Sequence, residues 1–368
     1  MKYFLIAGEA SGDLLGANLM EGIRQKDQAA TFQYWGGDLM QQQAPGLLQH
    51  YKEINIMGFV EVLMRLGSIF KNLSRCKQQI LAFKPDVVVF IDYPGFNIRI
   101  ARFAKHAGYK TAYFVAPKIW AWNEKRGYKL EKYIDELLLI FPFEADYFKK
   151  WNVKSTYVGN PLSQIIKNFK VNHDFLGSNQ LSNQPVIALL PGSRKQEIMR
   201  ILPVMMKVAA RLPAYQFVIA GAPSIDKSYY QSFLNGQVKI VYNQTYDLLS
   251  CAKASIVCSG TASLEAAFFN VPQVCCYAAN NISYQIAIRF VKVKYVSLVN
   301  INLNRLAINE YIQHDLTEEN VSNELKSVLP GGIGYAQQME NYAALHKLFG
   351  DENAGLKAAQ IIIDLAKV

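Results

Sequence analysis

The five cysteines of this 368-residue sequence form no Cys-x-x-Cys pair, and its five histidines form no His-x-x-x-His. That argues against a zinc centre or a disulfide framework and fits a reducing compartment. No Gly-x-x-x-x-Gly-Lys-Ser/Thr occurs, so there is no P-loop. No Gly-x-Ser-x-Gly occurs, so there is no nucleophile elbow. No apolar run approaches the ~18 residues needed to cross a bilayer. The leading run is short and Glu9 interrupts it, unlike a secretory signal. Basic residues never run five in a row, although 39 Lys and Arg against 29 Asp and Glu leave a net charge of +10. Such a surface favours anionic partners, but no basic-aromatic motif points to nucleic acid.

Hydrophobic residues make up 51% of the chain, enough to bury sizeable cores. The length suggests about two domains at ~150 residues each. Short continuous apolar runs alternate with helical spacing: Val87–Ile91, Thr111–Val115 and Leu137–Ile140 in the first half. Val186–Leu190, Phe217–Ala220, Val238–Tyr242, Ala254–Cys258 and Val274–Tyr277 follow in the second. Strands of this kind belong to parallel sheets buried on both faces, and β-α alternation means an open α/β sheet. A polar Asn/Ser/Gln-rich stretch separates the halves. We expect an N-terminal domain at 1–165, a linker with a short helix at 166–185, a second domain at 186–334 and C-terminal helices at 335–368. Two Rossmann-like, doubly wound parallel-sheet domains facing a cleft define the GT-B architecture. Ligands of such sheets bind at the carboxyl ends of the strands.

The turns at those ends carry chemistry-bearing residues. In "LLPGSRKQEI", Gly192 permits close backbone approach, Ser193 can cap the next helix with Gln196, and Arg194 follows. A helix N-terminus with a guanidinium suits a diphosphate. In "VCSGTASLEAA", Ser259, Gly260 and Thr261 offer N–H groups and hydroxyls to phosphate, and Glu265 can accept from a ribose diol. In "VVVFIDYPGFNIRIA", Asp92 ends a buried strand as a candidate general base, and a helix begins near Asn97. "YFVAPKIWAWNEKR" gathers Trp120, Trp122, Lys118, Lys125 and Arg126 into an aromatic, basic loop able to bind a sugar face and a phosphate. The opening "FLIAGEASGDLLG" spaces its glycines as Gly8-x-x-x-Gly12-x-x-x-Gly16, which fails the dinucleotide pattern Gly-x-Gly-x-x-Gly and disfavours a nicotinamide dehydrogenase. Residues 57–73, "MGFVEVLMRLGSIFKNL", have helical periodicity. Met57, Phe59, Val60, Leu63 and Met64 there form either a core face or an apolar membrane-surface patch, with Arg65, Lys71 and Arg75 nearby.

"AGEASGDLLGA", "MGFVEV", "IDYPGFN", "WAWNEKR", "FPFE", "LLPGSRKQEI", "SGTASLEAAF" and "KYVSLVN" occur in this order across essentially the whole chain. In this the sequence resembles glycosyltransferase family 19, the lipid-A-disaccharide synthases. The resemblance implies a GT-B enzyme that joins UDP-2,3-diacylglucosamine to 2,3-diacylglucosamine-1-phosphate (lipid X), releasing UDP and a β(1→6) disaccharide. The second domain would hold the UDP-sugar, with Asn300 and Arg305 joining Gly192 to Arg194, Ser259 to Thr261 and Glu265. The first would hold the acceptor. Asp92 matches the family's base, with Glu9 and Asp13 as alternatives. Gly8, Ser11 and Gly12 would floor the acceptor side, where Asn97, Trp120, Trp122 and Arg126 also belong. The absence of Asp-x-Asp agrees with metal-independent transfer, and no cofactor is implied. The acylated substrates imply peripheral attachment to the inner face of the inner membrane from the cytoplasm. The C-terminal helices would pack back on the first domain or be exchanged in a homodimer.

Some positions depart from the family pattern. Val115-Ala116-Pro117-Lys118-Ile119 replaces the Ser-Pro-Ser that often precedes Trp-Ala-Trp. Gly95 stands where a second carboxylate is common, Val299 where Pro is usual, and Leu303-Asn304-Arg305 where Ala-Gly-Arg is usual. These bear on loop shape and acyl-chain preference. The competing reading is another GT-B enzyme, a UDP-GlcNAc transferase or epimerase acting on a non-acylated substrate.

Overall fold

The apolar runs become strands whose side chains are shut away from water on both faces, as in Val87–Ile91, where every residue is fully buried. The computed structural model describes residues 1–54, 66–234, 236, 238–280, 284–285, 289 and 293–368. They divide into two units, one of Met1–Gln164 with Asp351–Val368 and one of Ile165–Gly350.

The first unit contains β1 (Lys2–Ala7), β2 (Thr31–Gly36), β3 (Leu47–His50), β4 (Val87–Ile91), β5 (Lys110–Phe114), β6 (Glu136–Leu139) and β7 (Ser155–Tyr157). These form one parallel sheet in the order β3-β2-β1-β4-β5-β6-β7. The order reverses between β1 and β4, where Ala7 pairs with Ile91. Ligand crevices open at such reversals, beyond the carboxyl ends of the strands.

The second unit contains β8 (Val186–Leu190), β9 (Gln216–Gly221), β10 (Lys239–Tyr242), β11 (Ala252–Cys258), β12 (Gln273–Tyr277) and β13 (Glu310–Ile312). Its parallel sheet runs β10-β9-β8-β11-β12-β13, with the reversal between β8 and β11. The helix Tyr335–Phe349 is tied to this sheet by buried polar groups. Gln338 accepts the Gln273 N–H at 2.6 Å and donates to the Gln273 carbonyl at 3.0 Å. Gln273 Nε2 donates to the Tyr342 hydroxyl at 2.9 Å.

The segment 335–368 is thus shared out: the helix Tyr335–Phe349 lies in the second unit, and the helix Ala354–Lys367 in the first. The latter lies on the first helix of the chain, Ala10–Lys26, at a crossing made of glycine. A Cβ on Gly22 would sit 2.5 Å from the Gly355 carbonyl oxygen, and one on Gly355 would sit 2.6 Å from Asn18 Oδ1. Both obstacles belong to packed helices, so neither position tolerates a side chain without separation of the axes. Residues 161–185 contribute the short helices Pro161–Lys167 and Phe175–Ser178.

Replacement of Gly355 by Val should cost about 1–3 kcal/mol. Urea denaturation should give a lower midpoint, and mild proteolysis should release the C-terminal helix first. An unchanged midpoint and cleavage pattern would refute the glycine crossing as a locked contact.

Candidate functional site

At the reversal in the first sheet, the turn after β4 carries Asp92. Asp92 and Tyr93 both adopt left-handed backbone, with φ of 45° and 48°. On the neighbouring strand Val115, a β-branched residue just past β5, has φ of 64°. Non-glycine residues in this region are strained and persist only where their surroundings fix them. The Asp92 carbonyl accepts from Asn97 Nδ2 at 2.8 Å and from the Tyr113 hydroxyl at 2.5 Å. Asn97 Nδ2 also lies 3.3 Å from the carbonyls of Ile6 and Ile91, bridging the ends of β1 and β4. Gly8 completes the clamp. The Tyr93 ring lies over it, 2.4 Å from where a Cβ would stand, and stacks on Phe96 at 5.4 Å. Burial raises the Tyr93 hydroxyl pKa, with a further push from the Glu9 carboxylate. Gly12, in the first helical turn, sits against Ala7, where its Cβ would be 3.2 Å from that side chain. Ser11 is exposed and Glu9 and Asp92 are half-buried, on turns that follow the carboxyl ends of β1 and β4. Burial lowers the Arg126 guanidinium pKa, Tyr113 opposing that and Arg99 adding to it, so Arg126 belongs to the same neighbourhood.

Three expected site residues have other work. Asp13 is only 3% exposed. Its carboxylate accepts from the N–H groups of Gly37 at 2.7 Å, Met40 at 3.1 Å and Leu39 at 3.0 Å, capping the helix Asp38–Gln43. Three of the roughly four acceptor positions of this carboxylate are thus committed to backbone N–H groups. Asn97 is fully buried, and its amide N–H group holds the Asp92 turn. Trp120 is no open sugar platform either: it is buried, packs edge-on to Phe143 at 5.0 Å, and donates from Nε1 to Glu144 Oε1 at 3.0 Å. Glu144 is fully buried, and burial pushes its carboxyl up to about 7 against the pull of Trp120 and of the Phe141 N–H. In "FPFE" the Pro at the first helical position with Glu two residues later marks a helix start, but nothing in the motif signals that Glu144 is buried against Trp120. The side chain of Trp122, and residues 57–64 with Met57, Phe59, Val60, Leu63 and Met64, lie outside the described residues.

At the reversal in the second sheet, the two expected turns are neighbours. Gly192, with φ of 116°, lies above Cys258, whose Sγ would be 3.3 Å from a Cβ there. Gly260 has φ of 145°. The helix cap differs from the expected Ser193 with Gln196. Arg194 is the capping position of the helix Lys195–Arg211, and Glu197 is the partner. Glu197 Oε2 accepts from the N–H groups of Ser193 at 3.0 Å and Arg194 at 3.2 Å, and its Oε1 from the Arg194 guanidinium at 3.1 Å. Ser259 donates from Oγ to the Val296 carbonyl at 2.7 Å, and Thr261 opens the helix Thr261–Phe268. Glu265 accepts from the Tyr246 hydroxyl at 3.0 Å, and burial raises its carboxyl pKa.

Asn300 is fully buried and spent internally. It donates to the Ile308 carbonyl and Glu310 Oε1, both at 2.8 Å, and accepts from the N–H groups of Ala307 and Ile308 at 2.8 and 2.9 Å. Glu310 in turn accepts from the Ser297 N–H at 2.8 Å and the Val296 N–H at 3.0 Å. Asn300 therefore supports the segment on which Ser259 leans. Arg305, just beyond it, is exposed. Among the described residues no three His, Cys, Asp or Glu side chains group as metal ligands, and no helix is long and apolar enough to cross a membrane.

A family model described as lipid-A-disaccharide synthetase matches residues 3–361. The lipid-A-disaccharide synthase of Myxococcus xanthus is 33% identical over 372 residues, covering 99% of this chain and 97% of its own. That of Hahella chejuensis is 35% identical, covering 98% and 93%. Among solved structures, a UDP-GlcNAc 2-epimerase from Neisseria meningitidis bound to UDP-GlcNAc aligns with a TM-score of 0.69 at 13% identity, over 99% of this chain and all of that one. The glycosyltransferase of kitacinnamycin aligns at 0.67 and 14%, over 99% and 98%. At such identities the likeness gives the fold alone: the two parallel-sheet α/β domains of GT-B glycosyltransferases and epimerases. With the family model spanning residues 3–361 and relatives a third identical over almost the whole length, the chain belongs to the lipid-A-disaccharide synthase family.

Proposed function

We propose that this protein is an inverting hexosyltransferase that joins UDP-2,3-diacylglucosamine to 2,3-diacylglucosamine-1-phosphate, giving the β(1→6) lipid A disaccharide 1-phosphate and UDP. The family match over residues 3–361 carries the reading. The first unit takes the acceptor and the second the nucleotide-sugar. Asp92 accepts the proton of the acceptor 6-hydroxyl as that oxygen attacks the anomeric carbon. The bond from that carbon to the diphosphate breaks on the opposite face, so the α-linked donor becomes a β-linked product. A half-buried carboxylate on a strained turn, its backbone fixed by Asn97 and Tyr113, supports Asp92 as the base. Arg194 and the N–H groups of the turns at 192–194 and 259–261 stabilise charge on the departing diphosphate. Glu9, whose charge reaches the Tyr93 hydroxyl, is an orienting group, whereas the three N–H bonds of Asp13 favour a structural role.

Membrane attachment is part of the proposal. The sequence 57–64, apolar apart from Gly58 and Glu61, precedes the helix Leu66–Phe83, whose Phe70 is 68% exposed beside the exposed Lys71. Exposed apolar side chains next to basic ones suit an anionic lipid surface.

Turnover of both acylated substrates should fall ~10²–10⁴-fold in Asp92→Asn, with an unchanged melting curve. Asp13→Asn should instead lose about 1–3 kcal/mol of stability by unpairing buried N–H groups, with near-normal kcat for the folded fraction. Near-normal turnover by Asp92→Asn removes it as the base. Arg194→Ala should raise KM for the donor ~10–100-fold, as expected for a lost charge-assisted contact. Efficient use of UDP-GlcNAc without acyl chains would count against the assigned substrates. In vesicle flotation with anionic lipid, the Phe59→Ser, Leu63→Ser double variant should remain unbound. Binding equal to that of the wild type would sink the membrane assignment.

A further inference from the structure

The groups assigned to the donor diphosphate are already holding an anion. The Ser193 N–H, the Arg194 N–H and the Arg194 guanidinium all converge on the Glu197 carboxylate, at 3.0, 3.2 and 3.1 Å. Gly192 is shaped around the same group: a Cβ there would stand 2.6 Å from Glu197 Oε2. Its φ of 116° and its missing side chain both serve to admit this carboxylate. The cluster is at the surface, with the Arg194 side chain 52% exposed and Glu197 22% exposed, so an incoming solute can reach it.

We propose that Glu197 is an intrinsic competitor for the donor's diphosphate. It occupies the anion cradle while the site is empty, yields to the nucleotide diphosphate, and returns as UDP leaves. The inference rests on the reading of residues 192–194 as the donor site. One carboxylate accepts from three donors at the surface. A diphosphate brings more charge and more acceptor oxygens than a carboxylate, so it can displace Glu197 where a simple monoanion gains little. Once displaced, Glu197 remains tethered one helical turn away, and its repulsion weakens UDP binding and speeds release. The cradle is thereby kept in its binding shape without binding its product tightly.

The test is calorimetric titration of the full chain with UDP, inorganic pyrophosphate and inorganic phosphate at fixed ionic strength. Glu197→Gln keeps a residue able to cap the helix. It should bind UDP and pyrophosphate roughly tenfold more tightly than the wild type, the effect of removing one like charge at close range in a partly exposed site. It should also bind phosphate where the wild type does not. A residue that only braces the helix would, when replaced, weaken binding or leave it unchanged, and either result overturns the proposal. If Glu197→Gln fails to give a cooperative melt, Glu197→Ala frees the same donors and must shift affinity in the same direction. UDP binding by the wild type with no gain in a folded variant defeats the competitor but leaves the donor site standing. Absence of UDP binding in wild type and variant alike defeats both.

Discussion

When a parallel sheet is laid down outward from its first strand, the chain must return to begin its second half on that strand's other side. Right-handed crossovers then send the helices on either side of the junction to opposite faces, and the turns beside it are left uncovered. Here the junctions fall between β1 and β4 and between β8 and β11. All the groups proposed for proton transfer or diphosphate binding lie on turns that follow those four strands. The central strands are largely apolar and buried on both faces, so turns at their ends can present polar groups without the desolvation cost of the sheet interior.

The two junctions solve the turn problem differently. In the second unit the useful groups are backbone N–H donors, and the left-handed positions there are the glycines Gly192 and Gly260. In the first the useful group is a side chain, which a glycine cannot supply. Asp92 and Tyr93 therefore carry the left-handed backbone themselves, at about 1–3 kcal/mol each. The Asn97 amide, the Tyr113 hydroxyl and the Tyr93 ring over Gly8 offset that strain and hold the turn in one geometry. Loss of any of them frees the turn before it touches the chemistry, which is why Asn97 acts on Asp92 from the interior.

This explains how much of the molecule was legible in its sequence. The central strands were, because burial on both faces demands the unbroken runs of Val87–Ile91 or Val186–Leu190. The strands β2, β3, β7 and β13 were not: Thr31–Gly36 mixes Gln33 with aromatics, and the other three span three or four residues at or near a sheet edge. The turns were legible from Gly, Asp and Arg at strand ends. What a polar side chain does within a turn was not. Asp13, Asn97 and Asn300 sit in the same series of motifs as Asp92 and Arg194, yet each bonds backbone groups that only the fold brings near. The cap in "PGSRKQEI" lies one residue beyond the expected one, because Ser193 with Gln196 and Arg194 with Glu197 share the same spacing and only helical phase separates them.

Three carboxylates in this chain therefore do one thing physically and three things functionally. Asp13, Glu310 and Glu197 each accept from two or three N–H donors. Around Asp13 the donors are buried, so removing the carboxylate strands them and costs about 1–3 kcal/mol with no solute able to replace it. Around Glu310 the donors include Asn300, and the cluster fixes a loop on which Ser259 rests. Around Glu197 the donors sit at the surface beside a half-exposed arginine, where such a pair contributes only about 0–1 kcal/mol. A bond that weak can be exchanged for a better anion. Solvent access, rather than residue type or hydrogen-bond count, separates the two carboxylates that hold the fold from the one that can give way.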